Sequence, residues 1–145
     1  MPSVLVSAEV LVGVLAALVG IALLVVFVRR RAIARDNPLT LCGVRRLGGT
    51  RWRLGLLRLG PTRLEWFPLL GVTLRPSHGW ERLGLDVDAP VRLEGVDRID
   101  LLPDAVGIRC YYDDRQFDLA LQPPHYTALR SWLEAAPPGS RANVA

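Results

Sequence analysis

The chain opens with a long apolar run and continues as short segments in which apolar and polar positions alternate. Val10 to Val28 contains no charged or strongly polar side chain. From Thr40 onward, apolar residues recur with a period of two between turn-forming Gly, Pro and Asp residues, the pattern of half-buried antiparallel strands. The pattern predicts one membrane helix followed by one small, mainly β domain.

Two of the alternating segments carry tryptophan. Trp52 falls on the strand face opposite Arg51 and Arg53. Trp66 falls opposite Arg63. We therefore expect both indoles in the core, away from the arginines. The other segments of this kind contain Leu83, Leu85 and Val87; Val91 and Leu93; Val106, Ile108 and Cys110; and Phe117, Leu119 and Leu121.

The last segment changes period. Pro123-Pro124 can start a helix, and Tyr126, Leu129 and Trp132 follow at helical spacing. Strands followed by one amphipathic helix are the order of a pleckstrin-homology-like antiparallel barrel or sandwich closed by a C-terminal α-helix. This is an analogy of fold and implies no ligand.

The same pattern sets the domain boundaries. Nineteen apolar residues make a helix of about 28 Å, close to the hydrocarbon thickness of a bilayer. Asp36-Asn37-Pro38 should break the helix beyond it. The predicted parts are an external N-terminus at 1–9, a transmembrane helix at 10–28, an Arg-rich juxtamembrane linker at 29–39, a cytoplasmic β domain with its C-terminal helix at 40–136, and a polar tail at 137–145.

Charge is distributed unevenly along the chain. Ten of the 18 arginines lie in residues 1–63 with only two acids, whereas the remainder has eight arginines and twelve acids. Only Glu9 precedes the apolar run, and four arginines follow it. The positive-inside rule then predicts a protein of the cell membrane with its N-terminus outside and its domain in the cytoplasm. A cleaved signal peptide would show the reverse order of charge.

The basic half also supplies the candidate binding residues, drawn from the juxtamembrane arginines and the set Arg45, Arg46, Arg51, Arg53, Arg58 and Arg63. The predicted partner is the lipid bilayer, through its anionic head groups. Arg115 belongs to the acidic half, where we expect no such contribution. The alternative is that these side chains only solvate a sheet face. Nucleic acid is not expected, because both tryptophans face away from the arginines. The residues assigned to membrane-surface contact are Arg29, Arg30, Arg31, Arg35, Arg51, Arg53 and Arg63.

One face of the apolar helix is made of small residues. Gly13, Ala17 and Gly20 fall on that face, where another helix can approach closely. The partner would be a second copy or a larger membrane complex. The alternative is that Gly and Ala are simply common in membrane helices.

Residues that carry chemistry are sparse. Cys42 and Cys110 lie in separate strands without a CxxC pattern, so we expect reduced core residues. His78, in a Pro-Ser-His-Gly turn, and His125 lack metal-ligand spacing and are expected at the surface. The chain has no lysine, which excludes Schiff-base catalysis. We expect no enzyme activity, no metal and no cofactor.

Three stretches carry a family resemblance: Leu64-Glu65-Trp66-Phe67, Leu74-Arg75-Pro76, and the ending from Ser131 to Gly139. With them the chain resembles a group of small actinobacterial membrane proteins described only as a domain of unknown function. The resemblance implies a single-pass anchor, an actinobacterial source and genes often found near those of the ATP synthase. It brings no functional residue with it.

Two functions follow from these observations. The first is a membrane-anchored, non-enzymatic binding or scaffolding module at the cytoplasmic face, which recognises anionic lipid or a protein partner. The alternative is an accessory subunit of a larger membrane complex, held through its transmembrane helix.

Overall fold

A computed structural model describes residues 2–34 and 37–135 of the chain. Within them the chain forms two compact units, one made of the N-terminal helix with Val72–Leu74 and one made of the remaining residues. Arg35 and the predicted tail at 137–145 lie outside the described residues.

The N-terminal helix α1 spans Pro2–Ile33. It is the one helix of the described residues that is long and apolar enough to cross a membrane. Its 32 residues correspond to about 48 Å, so residues on both sides of the apolar run are helical as well. Its large apolar side chains from Val4 to Val28 are each 43% to 68% exposed. An exposed apolar surface of this size marks a site of interaction with protein or lipid.

The second unit is built on an antiparallel sheet in the order β4-β3-β2-β1-β8-β7-β5, with β6 also paired to β7. The sheet's two edges, β4 and β5, are joined by the single 3-10 turn Arg82–Gly84, so the chain brings the edges together into a nearly closed barrel. The strands are β1 Leu39–Arg46, β2 Arg53–Leu59, β3 Arg63–Pro68, β4 His78–Glu81, β5 Leu85–Val87, β6 Val91–Arg92, β7 Val106–Tyr112 and β8 Arg115–Leu121.

Helix α2, Pro123–Glu134, follows the last strand and closes one end of the barrel. Leu129 and Leu133 are buried in the same core as the strand residues. The Trp132 indole N–H donates to the carbonyl oxygen of Gly60 in the β2–β3 turn at 2.7 Å. The guanidinium of Arg82 lies 4.4 Å from the centre of the Trp132 ring. The prediction of a mainly β domain with the pleckstrin-homology-like order of elements, an antiparallel barrel closed by a C-terminal helix, is confirmed.

The face assigned to Trp52 needs correction. In β2 the residue that joins the barrel core with Trp66 is Leu57. Trp52 and Leu54 instead pack on the outside of the sheet, in a second cluster with Leu102. Both faces of β2 are covered, so alternation alone could not show which face is inside. Trp66, by contrast, is buried in the core as expected, but it does not face away from every arginine, because Arg53 shares its face of the sheet.

Candidate functional site

The barrel has an open end opposite α2, where β1, β3 and β7 finish and β2, β4 and β8 begin. The loops there are the β1–β2 loop at 47–52, the β3–β4 loop at 69–77 and the β7–β8 turn at 113–114. Asp113 in that turn has a positive φ of 50°, which a short polar residue tolerates.

Four basic residues stand at these strand ends, and we name Arg46, Arg53, Arg115 and His78 the basic rim. Cross-strand partners lie on the same face of a sheet. Arg46 pairs with Phe117 and His78 pairs with Trp66, so both take the inward-facing register of buried core residues.

Arg53 and Arg115 follow the same rule. Arg53 pairs with Val44, and Arg115 pairs with Tyr112, whose side chain packs against the core. Arg53 also lies over the Trp66 ring, with its guanidinium carbon 5.4 Å from the ring centre. The three rim arginines are exposed, so their heads reach solvent at the mouth of the barrel.

Aromatic rings form the floor beneath the rim. His78 meets Trp66 edge-on at 5.5 Å and stacks on Trp80 at 5.8 Å, and Trp80 stacks on Phe117 at 4.4 Å. Gly55 makes room for this floor, since a Cβ there would stand 2.4 Å from Cε2 of Trp66. Beside the stack lies a groove of about 440 Å³. It is lined by Ser77, His78, Trp80, Tyr112, Asp113 and Arg115, among others.

The rim carries positive charge without a matching acid. Within the described part of the chain, none of the three rim guanidinium groups takes part in an ion pair. The pKa of the His78 imidazole is lowered. The largest cause is burial, and the positive charges of Arg53, Arg46 and Arg115 add to it. Its Nδ1 is buried and has no hydrogen-bond partner among the described residues. A bound anion would relieve both the repulsion and the unmet charge.

Three other arginines of the domain are already paired with acids. Arg45 bonds to Asp97 at 2.6 Å and to Asp118 at 3.1 Å, and Arg109 bonds to Asp118 at 3.0 Å. Arg58 pairs with Glu65. These pairs lie on the outer face of the sheet, where they hold segments of the domain together. The three rim arginines differ from these, because no acid among the described residues pairs with them.

The predicted membrane-contact residues occupy separate places. Arg29 is 5% exposed, and its Nε donates to the carbonyl oxygen of Thr73 at 2.8 Å. Arg30 and Arg31 are exposed in the last turn of α1. Arg51, in the β1–β2 loop, is exposed beside the rim residue Arg53. Arg35 is outside the described residues.

Arg63 begins β3 at the opposite end of the barrel. Six residues of β2 separate that end from Arg53, about 20 Å of extended chain. Arg115, which the charge distribution assigned to the acidic half, belongs to the rim because β8 lies beside β1. His78, expected at the surface, is half-buried because it opens β4 opposite Trp66.

The other residues singled out in the sequence lie outside the rim. Gly13 and Gly20 of α1 have open space where a Cβ would stand, and Ala17 is exposed. Cys42 and Cys110 are free and buried, and burial raises the pKa of each thiol. No group of three His, Cys, Asp or Glu residues in the described ranges is arranged to hold a metal ion.

Comparison with known proteins gives a family. The family model described as a protein of unknown function, DUF2550, matches residues 15–139. Comparison with curated proteins found no match. Among solved structures, the chain is similar to the tandem PX-PH-domains of Bem3 from Saccharomyces cerevisiae, at 12% identity and a TM-score of 0.46, over 67% of this chain and 39% of that one.

Proposed function

The chain belongs to the DUF2550 family, and we propose that it is a membrane-anchored, non-enzymatic binding module whose basic rim binds the phosphate of an anionic lipid at the cytoplasmic face. The observation that carries the proposal is the rim itself. Arg46, Arg53 and Arg115 face the mouth of the barrel, and within the described residues no carboxylate pairs with them. Guanidinium groups without an acid partner are well suited to phosphate oxygens.

The surroundings of the rim support a ligand that has an apolar part next to its charge. Trp66 lies under the Arg53 guanidinium, and Trp80, which stacks on Phe117, lines the groove beside Arg115. A phospholipid offers that combination, because its phosphate adjoins a glycerol backbone and acyl chains. Both thiols are buried in protonated form, which favours binding over covalent catalysis.

The test is a binding titration on the full chain in an uncharged detergent. The probes are short-chain dihexanoyl phosphatidylglycerol, the matching phosphatidylcholine and inorganic phosphate. We expect saturable binding of phosphatidylglycerol that weakens with added salt. The triple variant Arg46→Gln, Arg53→Gln and Arg115→Gln should weaken that binding about ten-fold or more, because each arginine near an anionic group contributes on the order of 1 kcal/mol.

A matched control removes the same amount of charge elsewhere. Arg63, Arg92 and Arg98 are exposed and lie away from the rim. Their triple Gln variant should change the affinity by about two-fold or less, since exposed distant charges are screened. Equal losses in the two variants, or equal binding of the two lipids, would refute the rim as the lipid site. Tight binding of phosphate alone would identify a soluble anion as the ligand.

The alternative function is an accessory subunit of a larger membrane complex. It is supported by the open surface at Gly13 and Gly20, where no side chain of the described residues covers α1. The family resemblance would place such a complex in a membrane-energy context. A stoichiometric companion that stays with the full chain through gentle detergent extraction, and dissociates when Gly13 and Gly20 are replaced by Leu, would favour this function over the lipid module.

A further inference from the structure

A second apolar surface lies outside α1, in the β3–β4 loop. We name residues 69–74, Leu69-Leu70-Gly71-Val72-Thr73-Leu74, the apolar loop; it contains no charged side chain and is followed by Arg75. Leu70 is 91% exposed, Val72 81% and Leu74 57%. Three large apolar side chains within five residues, all exposed, form a patch of the kind that marks an interaction site.

The structure also shows what lies next to this loop. Val72–Leu74 belongs to the same compact unit as α1. Within that unit, the Nε of Arg29 donates to the carbonyl oxygen of Thr73 at 2.8 Å. Arg29 directly follows Val28, the last residue of the apolar run. It therefore marks the depth at which a membrane helix leaves the hydrocarbon, and the hydrogen bond places Thr73 at that depth.

From this placement we propose that the apolar loop inserts into the interfacial layer of the membrane that α1 spans, with Leu70, Val72 and Leu74 as the inserting side chains. The occupant of the patch is the bilayer, because the loop is bonded to the helix at the level of the lipid head groups. Arg30, Arg31 and Arg75 suit the anionic head groups around it. The inference rests on the proposed anchor and adds a second point of attachment to the lipid.

The apolar loop is connected at both ends to strands of the barrel. The loop starts after Pro68, where β3 ends, and finishes before His78, where β4 begins. Both positions are at the open end of the barrel that carries the basic rim. If the loop is held in the lipid interface, the chain on either side of it tethers this end of the barrel to the membrane surface.

The test uses single reporter cysteines in the full chain reconstituted into nanodiscs of phosphatidylcholine and phosphatidylglycerol. Native Cys42 and Cys110 are buried, and burial raises the pKa of both thiols. They are therefore not expected to react with the label. An environment-sensitive dye goes on Leu70→Cys in one sample and on Val96→Cys, at a position 100% exposed, in the control. Leu70 is almost fully exposed as well, so neither substitution disturbs the core.

We expect the dye at position 70 to be quenched by lipids that carry a spin label high on the acyl chain. Quenching by aqueous iodide should be about three-fold lower there than at position 96, as interfacial burial shields a probe from water. Equal iodide quenching at the two positions would overturn the inference. So would protection from iodide without quenching by the spin-labelled lipid, which would indicate a second copy of the chain as the occupant.

A third reporter separates this inference from the anchor on which it rests. Leu18→Cys lies in the middle of the apolar run of α1. If position 18 is protected from iodide and position 70 is not, the loop insertion is wrong and the anchor stands. If position 18 is open to iodide, the anchor fails and the loop insertion fails with it.

Discussion

His78 lies half-buried beside three guanidinium groups, and both burial and their charge lower the pKa of its imidazole. As the pH falls through the ordinary histidine value of about 6.5, the unfolded chain takes up this proton before the folded chain does. The free energy of unfolding should therefore decrease on acidification. We expect the urea midpoint of the full chain in detergent to fall between about pH 7.5 and about pH 5.5, and to fall less in His78→Gln.

The comparison with His78→Gln isolates this residue, because the other acid-sensitive groups are the same in both proteins. Equal losses in the two proteins would show that the imidazole is not held in its neutral form. Anionic lipid at the rim should also raise the pKa of His78, which NMR of its imidazole protons can follow.

The position of His78 could be predicted from the sequence only in part. The Pro-Ser-His-Gly sequence predicted a turn and a surface histidine, but pairing with Trp66 draws His78 into the mouth of the barrel. Arg46 and Arg115 are far apart in sequence and meet because β1 and β8 are neighbours. The period-two alternation of a strand, extended from Val44 to Arg46 and from Phe117 to Arg115, would have predicted that both arginines face inward. The sequence held no signal for the strand order.

At the scale of elements, α2 depends on Trp132 as well as on its aliphatic residues. The indole is partly buried, donates to Gly60 and lies under Arg82. Trp132→Ala should therefore lower the free energy of unfolding by about 2 to 3 kcal/mol, below the range of a fully buried Trp. Trp132→Phe keeps a ring but loses the N–H, and should cost about 1 kcal/mol. Urea unfolding of the full chain in detergent measures both.

Arg130→Ala, on the exposed side of the same helix, is the matched control. It removes only the surface ion pair with Glu134 and should cost less than about 0.5 kcal/mol. A Trp132→Ala protein as stable as this control would mean that the helix does not close the barrel through its indole.

The strands and α2 were predictable because their periods of two and of 3.6 are strong in the sequence. The inward face of β2 was not, since Leu54 and Leu57 are both covered, one by a segment folded over the outside and one by the core. When both faces of a strand are apolar, its sequence pattern does not show which face points into the core.

For the whole molecule, the lipid proposal requires that the anchor proposed for α1 place the rim on the cytoplasmic side of the membrane. Arg30 and Arg31 are exposed at the C-terminal end of α1, and Glu9 is the one charged residue before its apolar run. This asymmetry predicts a cytoplasmic domain. Only there would the rim and the apolar loop meet the anionic leaflet, whose negative potential attracts arginine. The lipid proposal therefore depends on the orientation of α1.

Single cysteines at Ser3 and Val96 test the orientation in sealed, right-side-out membrane vesicles. Ser3 lies at the N-terminal end of α1 and Val96 in the domain, and both are exposed. A membrane-impermeant maleimide should label Ser3→Cys in intact vesicles and Val96→Cys only after the vesicles are opened, while Cys42 and Cys110 stay unlabelled because they are buried. Labelling of Val96→Cys in intact vesicles would place the rim outside the cell, where the leaflet is less anionic and arginine gains little from it. In that case a protein partner, rather than lipid, would be the better ligand for the unpaired arginines.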